Sequence, residues 1–380
     1  MECVFAKEIY TGRGAVKGAY LAFDGAKIAG ISSRPRGKVV GEFAAVTPAF
    51  IDAHSHMGLQ RFGEPSTEAE VNERLEMVMP VPDALDSVLM DDPAFRESIE
   101  AGILYSCVVP GSAQVIGGRS AVIRHYARNT TEALIARAGL KGAMGFNPAA
   151  DRTKPGQRPF TRMGALSILR AKLHDVRLKV EKHERARGKK KDDIAFSAEE
   201  AVLRDVLTRK EFLRMHVHKI DDIAALLRLA DEFKLRLCVE HTCDVHDAHI
   251  YEELRRRRIP VVYGPLDAFA YKVELKHESW RNVRHLLASG VQFGLMTDHP
   301  FAMGHTLFLA LRWFLRCGLS KEQAVAIITR QNAEILGVDK LLGTLERGKW
   351  ASFTGWNGDP FALTSWPVSV WGEGKRLYSE

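Results

Sequence analysis

Between residues 48 and 339 the chain alternates short apolar runs typical of β-strands with longer runs of helical periodicity. Eight strand candidates fall in this stretch, ending near His54, Val109, Tyr126, Phe146, His216, His241, Gly264 and Asp298. Repeated β–α alternation predicts parallel strands covered by helices. Eight such units close into a (β/α)8 TIM-like barrel, which is the α/β fold that we expect. A doubly wound sheet is the alternative, but no phosphate-binding fingerprint follows any of these strands.

The two ends of the chain have a different pattern, made of short β runs broken by Gly-containing turns. In GAYLAFDGAKIAGI the pair Asp24-Gly25 is a strong hairpin signal. Neither end alone holds enough apolar residues for a core. We therefore predict one small β-sandwich assembled from residues 1–47 and 340–380, with the barrel at 48–339 between its two parts.

Charge and cysteine usage restrict the class of protein. The net charge is +7 at pH 7, but the main excess lies in the basic run 179–191, which is typical of a solvated helix end and loop. The five cysteines show no CxxC pair, which favours a reducing compartment. The N-terminus lacks the pattern of a secretory signal, and no apolar run reaches membrane-spanning length. We expect a cytoplasmic protein that acts on a small molecule rather than on nucleic acid or a membrane, and a homo-oligomer is compatible with the sequence.

Polar side chains stand where several buried strands should end. His54 and His56 alternate in TPAFIDAHSHMG and so share one face of a strand. Three other strand candidates end in His216, His241 and Asp298. Because the carboxyl ends of barrel strands meet at one mouth, these side chains should converge there. Four imidazoles and a carboxylate form a donor set suited to zinc and similar divalent ions.

These motifs carry a resemblance to a known family. PAFIDAHSHMG resembles the strand-1 signature of the amidohydrolase superfamily, and RMHVHKIDDI, VEHTCD and LMTDHP resemble its metal-binding strand ends. VVPGSAQVIGGRSAVIR, RPFTRMGALSILR and TRQNAEILGV are similar to the imidazolonepropionase-related branch of uncharacterised metal-dependent amidohydrolases. The resemblance covers nearly the whole chain. It implies a metal-dependent hydrolase of C–N bonds, amide or cyclic amide, in which a metal-activated water is deprotonated by Asp298 as general base.

The resemblance also implies the ligands, and it leaves two alternative functions open. The expected ligands are His54, His56, His216, His241 and Asp298, and Zn is the expected metal, with Fe, Mn or Ni as alternatives. A mononuclear-metal deaminase would carry a glutamate three residues after the strand-5 histidine, where this chain has Lys219. A catalytically impaired barrel acting as a binding scaffold is the other alternative.

One departure from the related branch concerns metal number. That branch carries a bridging glutamate in the place of Phe146, and elsewhere in the superfamily a carboxylated lysine does this. Lys141 is separated from Phe146 by an odd number of residues, and Glu240 directly precedes His241, so both should point away from the site. Without a shared anion, His216 and His241 alone would hold a second ion weakly. We therefore expect one tightly bound ion rather than two.

Three further residues are candidates for substrate binding. Lys272, in the segment after strand 7, is placed to meet a substrate carboxylate, and Arg162 in PFTRMG is a second cation near the mouth. His218 follows the strand-5 histidine closely enough to donate to a ligand or to contact the substrate. The shape of the mouth loops, which sets specificity, does not follow from the sequence.

Overall fold

A computed structural model describes residues 1–61, 63, 65–150, 158–187, 193–268 and 272–380. Two sheets organise these residues, one of eight strands and one of seven. The strands are β1 Glu2–Tyr10, β2 Ala15–Asp24, β3 Lys27–Ser32, β4 Lys38–Pro48, β5 Phe50–Ser55, β6 Ile103–Val108, β7 Ile116–Arg124, β8 Leu134–Ala143, β9 Leu213–Val217, β10 Leu237–His241, β11 Val261–Tyr263, β12 Phe293–Leu295, β13 Phe353–Trp356, β14 Pro367–Gly372 and β15 Lys375–Ser379.

The eight-stranded sheet runs in the order β5 to β12 and forms a nearly closed TIM-like barrel. Seven of its strands run in one direction, but β7 is antiparallel to both β6 and β8. The expectation of a fully parallel barrel was therefore wrong at this strand. The connection from β6 to β7 covers only residues 109–115, which is too short for a helical crossover, so the chain must turn back beside β6.

Helices pack outside the barrel strands and enclose the largest apolar core. Those among the described residues are α1 Pro93–Glu100, α2 Thr130–Ala133, α3 Arg162–Arg185, α4 Ala198–Leu207, α5 Ile220–Phe233, α6 His249–Arg256, α7 Val283–Ser289, α8 Leu311–Arg316, α9 Lys321–Ala326 and α10 Asn332–Leu336. A capping box of Ser197 and Glu200 begins α4. The basic run enters the end of α3, and its residues 188–191 lie outside the described residues. Within the described part of the chain, no helix combines the length and apolarity needed to cross a membrane.

A buried asparagine joins the first and last barrel strands. Asn332 donates from Nδ2 to the carbonyl oxygens of Ile51 in β5 (2.6 Å) and Leu295 in β12 (2.8 Å). Its Oδ1 accepts from the Leu295 amide at 2.9 Å. Just beyond, the Asp298 amide donates to the carbonyl of His54 at 3.1 Å. The closure of the barrel thus brings the end of its last strand against the end of its first.

The seven-stranded sheet combines both ends of the chain in the order β15-β14-β13-β4-β1-β2-β3. The hairpin expected at Asp24-Gly25 is present, with β2 and β3 antiparallel and Asp24 opposite Lys27. From the C-terminal end, β13 pairs with β4, setting Phe353 opposite Pro48. The strand pairing describes one sheet, so the sandwich and its domain bounds stay predictions. Because β4 leads through Ala49 directly into β5, this sheet is joined to the barrel at its first strand.

Deleting residues 346–380 should make the protein insoluble. The deletion removes β13, which leaves the backbone edge of β4 unpaired and exposes the apolar surface that Phe353 and Trp356 bury. A shorter deletion of residues 375–380 removes only the edge strand β15 and serves as the control. Soluble fractions and circular dichroism of the two truncations measure the effect. A soluble, cooperatively folded 1–345 chain would contradict the prediction.

Candidate metal centre

The first half of the site lies where β5 and β12 meet. His54 Nε2 and His56 Nε2 are 3.1 and 3.2 Å from the same oxygen, Oδ1 of Asp298. Both imidazoles are buried, and the Asp298 side chain is 11% exposed. One donor atom from each of the three side chains lies within 4.8 Å of the others, which is the spacing that a single metal ion requires.

The second half contains one more histidine than the sequence analysis assigned to it. His216, His218 and His241 place their donor atoms within 4.8 Å of one another. The His241 ring centroid is 4.1 Å from that of His216 and 5.0 Å from that of His54, so the two halves adjoin. His218 stands two residues after His216, just beyond the end of β9, and so offers a third neutral donor where two were expected.

Two of these residues reach the site through unusual backbone conformations. His241 has a φ of +75° and Asp298 a φ of +53°, in the left-handed region that non-glycine residues rarely adopt. A regular strand would place His241 on the same face as Val217, its partner in the ladder. The positive φ at the end of β10 instead redirects its ring toward His54 and His216. Such conformations persist where the surrounding structure imposes them.

Hydrogen bonds hold the ring nitrogens on the outer side of the site. His54 Nδ1 is 2.8 Å from Glu240 Oε2, His56 Nδ1 is 2.8 Å from the Val109 carbonyl, and His241 Nδ1 is 3.0 Å from the Gly264 carbonyl. Nε2 of His54 and of His56 faces Asp298 Oδ1. Three more buried ring nitrogens of the site lack a hydrogen-bond partner among the described residues: His216 Nδ1, His218 Nδ1 and His241 Nε2. Histidines that ligate metals are oriented in this way, so the donor set fits a divalent ion.

The protonation states also suit metal binding. Burial, reinforced by neighbouring imidazoles, holds the pKa of His216 and His218 well below the usual range, and burial lowers the pKa of His241 to about 3. Burial opposes ionisation of Asp298, but His241, His54 and His56 together hold its pKa well below its usual value. His216, His218 and His241 are therefore neutral and Asp298 is ionised, which are the forms that bind divalent ions. Burial alone would lower the pKa of His54, but Glu240 and Asp298 outweigh burial and raise it.

Glu240 and Arg214 form a buried ion pair that supports His54. Arg214 Nη2 lies 2.6 Å from Glu240 Oε1 and donates to the carbonyl of Ala53 at 2.8 Å. Glu240 pairs with His216 in the β9–β10 ladder and therefore shares its face. The expectation that Glu240 points away from the site was wrong. It assumed that alternation continues through His241, which the positive φ of that residue prevents.

Lys141 also faces the barrel interior, against expectation. It pairs with Arg214 in the β8–β9 ladder, is fully buried, and donates from Nζ to Ser112 Oγ at 2.9 Å. Burial lowers its pKa to about 8. The separation between Lys141 and Phe146 predicted the wrong face for Lys141. Strand β8 ends at Ala143, so strand alternation does not extend to Phe146. Phe146 begins a short 3-10 turn instead, and its side chain is not at the strand end.

A solvent-open cleft of about 190 Å³ lies over the site, lined in part by His56, His216, Asp298 and Lys272. Gln60, Asn72 and Asn147 add side-chain amides to its wall. Lys272 Nζ is 3.1 Å from Asn147 Oδ1 and 2.6 Å from Glu274 Oε1. Sequence reasoning missed Glu274, because a lone glutamate in a loop carries no pattern. Arg162 is not part of this lining and pairs with Asp222 at 2.8 Å.

A further group of donors lies on the rim. Asp244, His246 and His277 also have donor atoms within 4.8 Å of one another, but both imidazoles are exposed. Asp244 Oδ2 is 3.2 Å from Lys219 Nζ, so its charge is already paired. Lys219 stands where a deaminase would carry its glutamate, and this ion pair directs it to the rim.

Comparisons with known proteins agree with this geometry. The model of the Amidohydrolase family matches residues 45–377. A crystal structure of an amidohydrolase from Thermotoga maritima MSB8 is 30% identical, with a TM-score of 0.92 and full coverage of both chains. A prolidase complexed with N-methylphosphonate-L-proline has a TM-score of 0.64 at 14% identity, again with full coverage of both chains, and shares the fold.

A curated relative is the amidohydrolase tasK of Hapsidospora irregularis, which is 23% identical over 359 residues. The match takes in 88% of this chain but only 36% of the relative, so the chain spans about a third of that protein's length. Members of the family that these comparisons identify are usually metal-dependent hydrolases acting on C–N bonds. With a family match over most of its length and a 30% identical relative of the same extent, the chain belongs to the Amidohydrolase family.

Proposed function

We propose that the protein is a metal-dependent hydrolase that cleaves an amide or cyclic amide bond of a small molecule. The carrying observation is the meeting of two three-residue donor groups, His54/His56/Asp298 and His216/His218/His241, beneath one open cleft. Divalent ions held by such donors supply Lewis-acid chemistry and make water a stronger acid. We assign Zn²⁺ as the metal ion. Within the family, we assign the chain to the imidazolonepropionase-related branch.

Asp298 is the general base of the proposed reaction. Its carboxylate stays ionised in a buried site and borders the cleft, where it can accept a proton from the attacking water at an Oδ atom. The same carboxyl then returns that proton to the leaving nitrogen. The His54 and His56 rings fix the carboxylate between them, so little reorganisation is needed.

His218 bears on the number of metal ions that we propose. With His218 present, each half offers three donors, and we propose two ions rather than one. We propose that Lys141, carboxylated on Nζ, would supply the anion shared by the two ions. A carboxylated lysine has this role elsewhere in the superfamily. The buried amine of Lys141, with a pKa of about 8, is suited to adding CO2 with release of one proton.

Removal of metal should abolish hydrolysis. We expect a screen of small amides, dipeptides and lactams to reveal a substrate, and dialysis against a chelator to lower turnover by at least about 100-fold. Added Zn²⁺ or Mn²⁺ should restore it. Elemental analysis before and after dialysis is the accompanying measurement.

The outcomes separate the alternatives. Turnover that survives complete demetallation would contradict the proposal. Aminated heterocycles are assayed beside the screen, and release of ammonia from them, with no hydrolysis of the screened amides, would favour the deaminase. A metal-loaded protein that hydrolyses nothing in the screen but binds members of it would favour the scaffold.

A further inference from the structure

Glu274 is a fully buried carboxylate in the loop after β11 to which the proposed reaction gives no role. Its Oε1 lies 2.6 Å from Lys272 Nζ and 3.3 Å from His216 Nε2, while Oε2 accepts the amide proton of Phe146 at 2.9 Å. Both oxygens of this carboxylate are therefore held by neighbouring groups, one of them the cation of Lys272.

The contact with His216 determines which ring nitrogen is available. Glu274 faces Nε2, and Nδ1 of the same ring lacks a hydrogen-bond partner among the described residues. A carboxylate that accepts from one imidazole nitrogen fixes the proton there and leaves a lone pair on the other. His218 has the same arrangement at longer range: its Nε2 is 3.8 Å from Glu274 Oε1, and its Nδ1 has no hydrogen-bond partner in the described part of the chain.

The chain around Phe146 accommodates this carboxylate. Gly145 has a φ of +81°, and a Cβ added to it would lie 2.9 Å from Glu274 Oε2. Any larger residue would therefore crowd the carboxylate or strain the backbone. The main chain at 145–146 thus contributes space and an amide donor to the site, although the Phe146 side chain cannot contribute a ligand.

We propose that Glu274 is a positioning residue for the His216/His218/His241 half of the centre. It holds His216 with the proton on Nε2 and so directs the Nδ1 lone pair toward a divalent ion. Lys272 offsets the negative charge of the carboxylate. The proposal rests on the proposed metal-dependent function. It gives Glu274 a role in the metal affinity of this half of the centre.

Glu274→Gln tests this with zinc as the probe. An amide has a single acceptor oxygen, so it cannot serve both the Phe146 amide and His216 Nε2. In competition titrations of demetallated full-length protein against a chromophoric chelator, we expect one Zn²⁺ affinity to fall about 10–100-fold and the other to change little. Glu278→Gln, in the same loop, is the matched control and should leave both affinities unchanged.

A double-mutant cycle tests whether the lost zinc affinity belongs to the His216/His218/His241 half. His216→Ala should weaken the same ion, and Glu274→Gln should add little in the His216→Ala background. Unchanged zinc affinities in Glu274→Gln would overturn the proposal. Equal loss of both ions, with a lower melting temperature of the metal-free protein, would also overturn it by showing a general structural role. A wild type that binds no zinc would instead contradict the proposed function.

Discussion

Asp298→Asn is expected to lower kcat about 10²–10⁴-fold on the amide substrate that the screen identifies. The amide cannot take a proton from water at the oxygen that His54 and His56 now flank. Asn is the appropriate replacement because it tolerates the left-handed backbone, and Asp298 has a φ of +53°. Alanine would combine the chemical change with backbone strain.

The control for this variant is Asp91→Asn, which alters an exposed carboxylate paired with Arg61. We expect that variant to keep wild-type turnover. Metal content must be measured alongside, since Asp298 is also a proposed ligand. A fully metal-loaded Asp298→Asn protein with turnover within about threefold of wild type would exclude Asp298 as general base.

Arg214→Met should lower the free energy of unfolding by about 3–5 kcal/mol. Arg214 and Glu240 are both fully buried, and Arg214 Nη2 lies 2.6 Å from Glu240 Oε1. Removing the guanidinium leaves the Glu240 carboxylate in the barrel interior with His54 as its remaining partner on Oε2. An uncompensated buried charge is among the largest single destabilising changes.

Two further variants identify the cause of this loss. Arg214→Met with Glu240→Gln removes both charges and should recover part of the stability. Arg236→Met alters an exposed arginine that donates to the Arg209 carbonyl, and should change stability by no more than about 0.5 kcal/mol. Urea unfolding of the metal-free proteins is the measurement. A double variant no more stable than Arg214→Met would show that lost packing, not charge, is responsible.

The barrel and five residues of its candidate site follow from local patterns in the sequence. Alternation of strand and helix periods specifies the architecture, because each period buries one face against a neighbouring layer. His54, His56, His216, His241 and Asp298 stand at or next to strand ends, and a barrel gathers those ends at one mouth. The structure brings all five together, although their roles as ligands stay predictions.

Tertiary structure decided what lies around them. The direction of β7 depends on a short connection, and the closure of the barrel depends on Asn332, which is far in sequence from β5. Alternation placed Glu240 and Lys141 on the wrong face. It holds only inside regular strands, whereas β10 ends in a left-handed His241 and β8 stops before Phe146.

Glu274 shows the same limit from another direction. It reaches His216 from a loop 58 positions away in the chain, and no spacing rule connects the two residues. Repeating patterns are readable in a sequence because each position constrains its near neighbours. Contacts between distant segments depend on how the whole chain packs, and the buried partners of the site belong to that second kind.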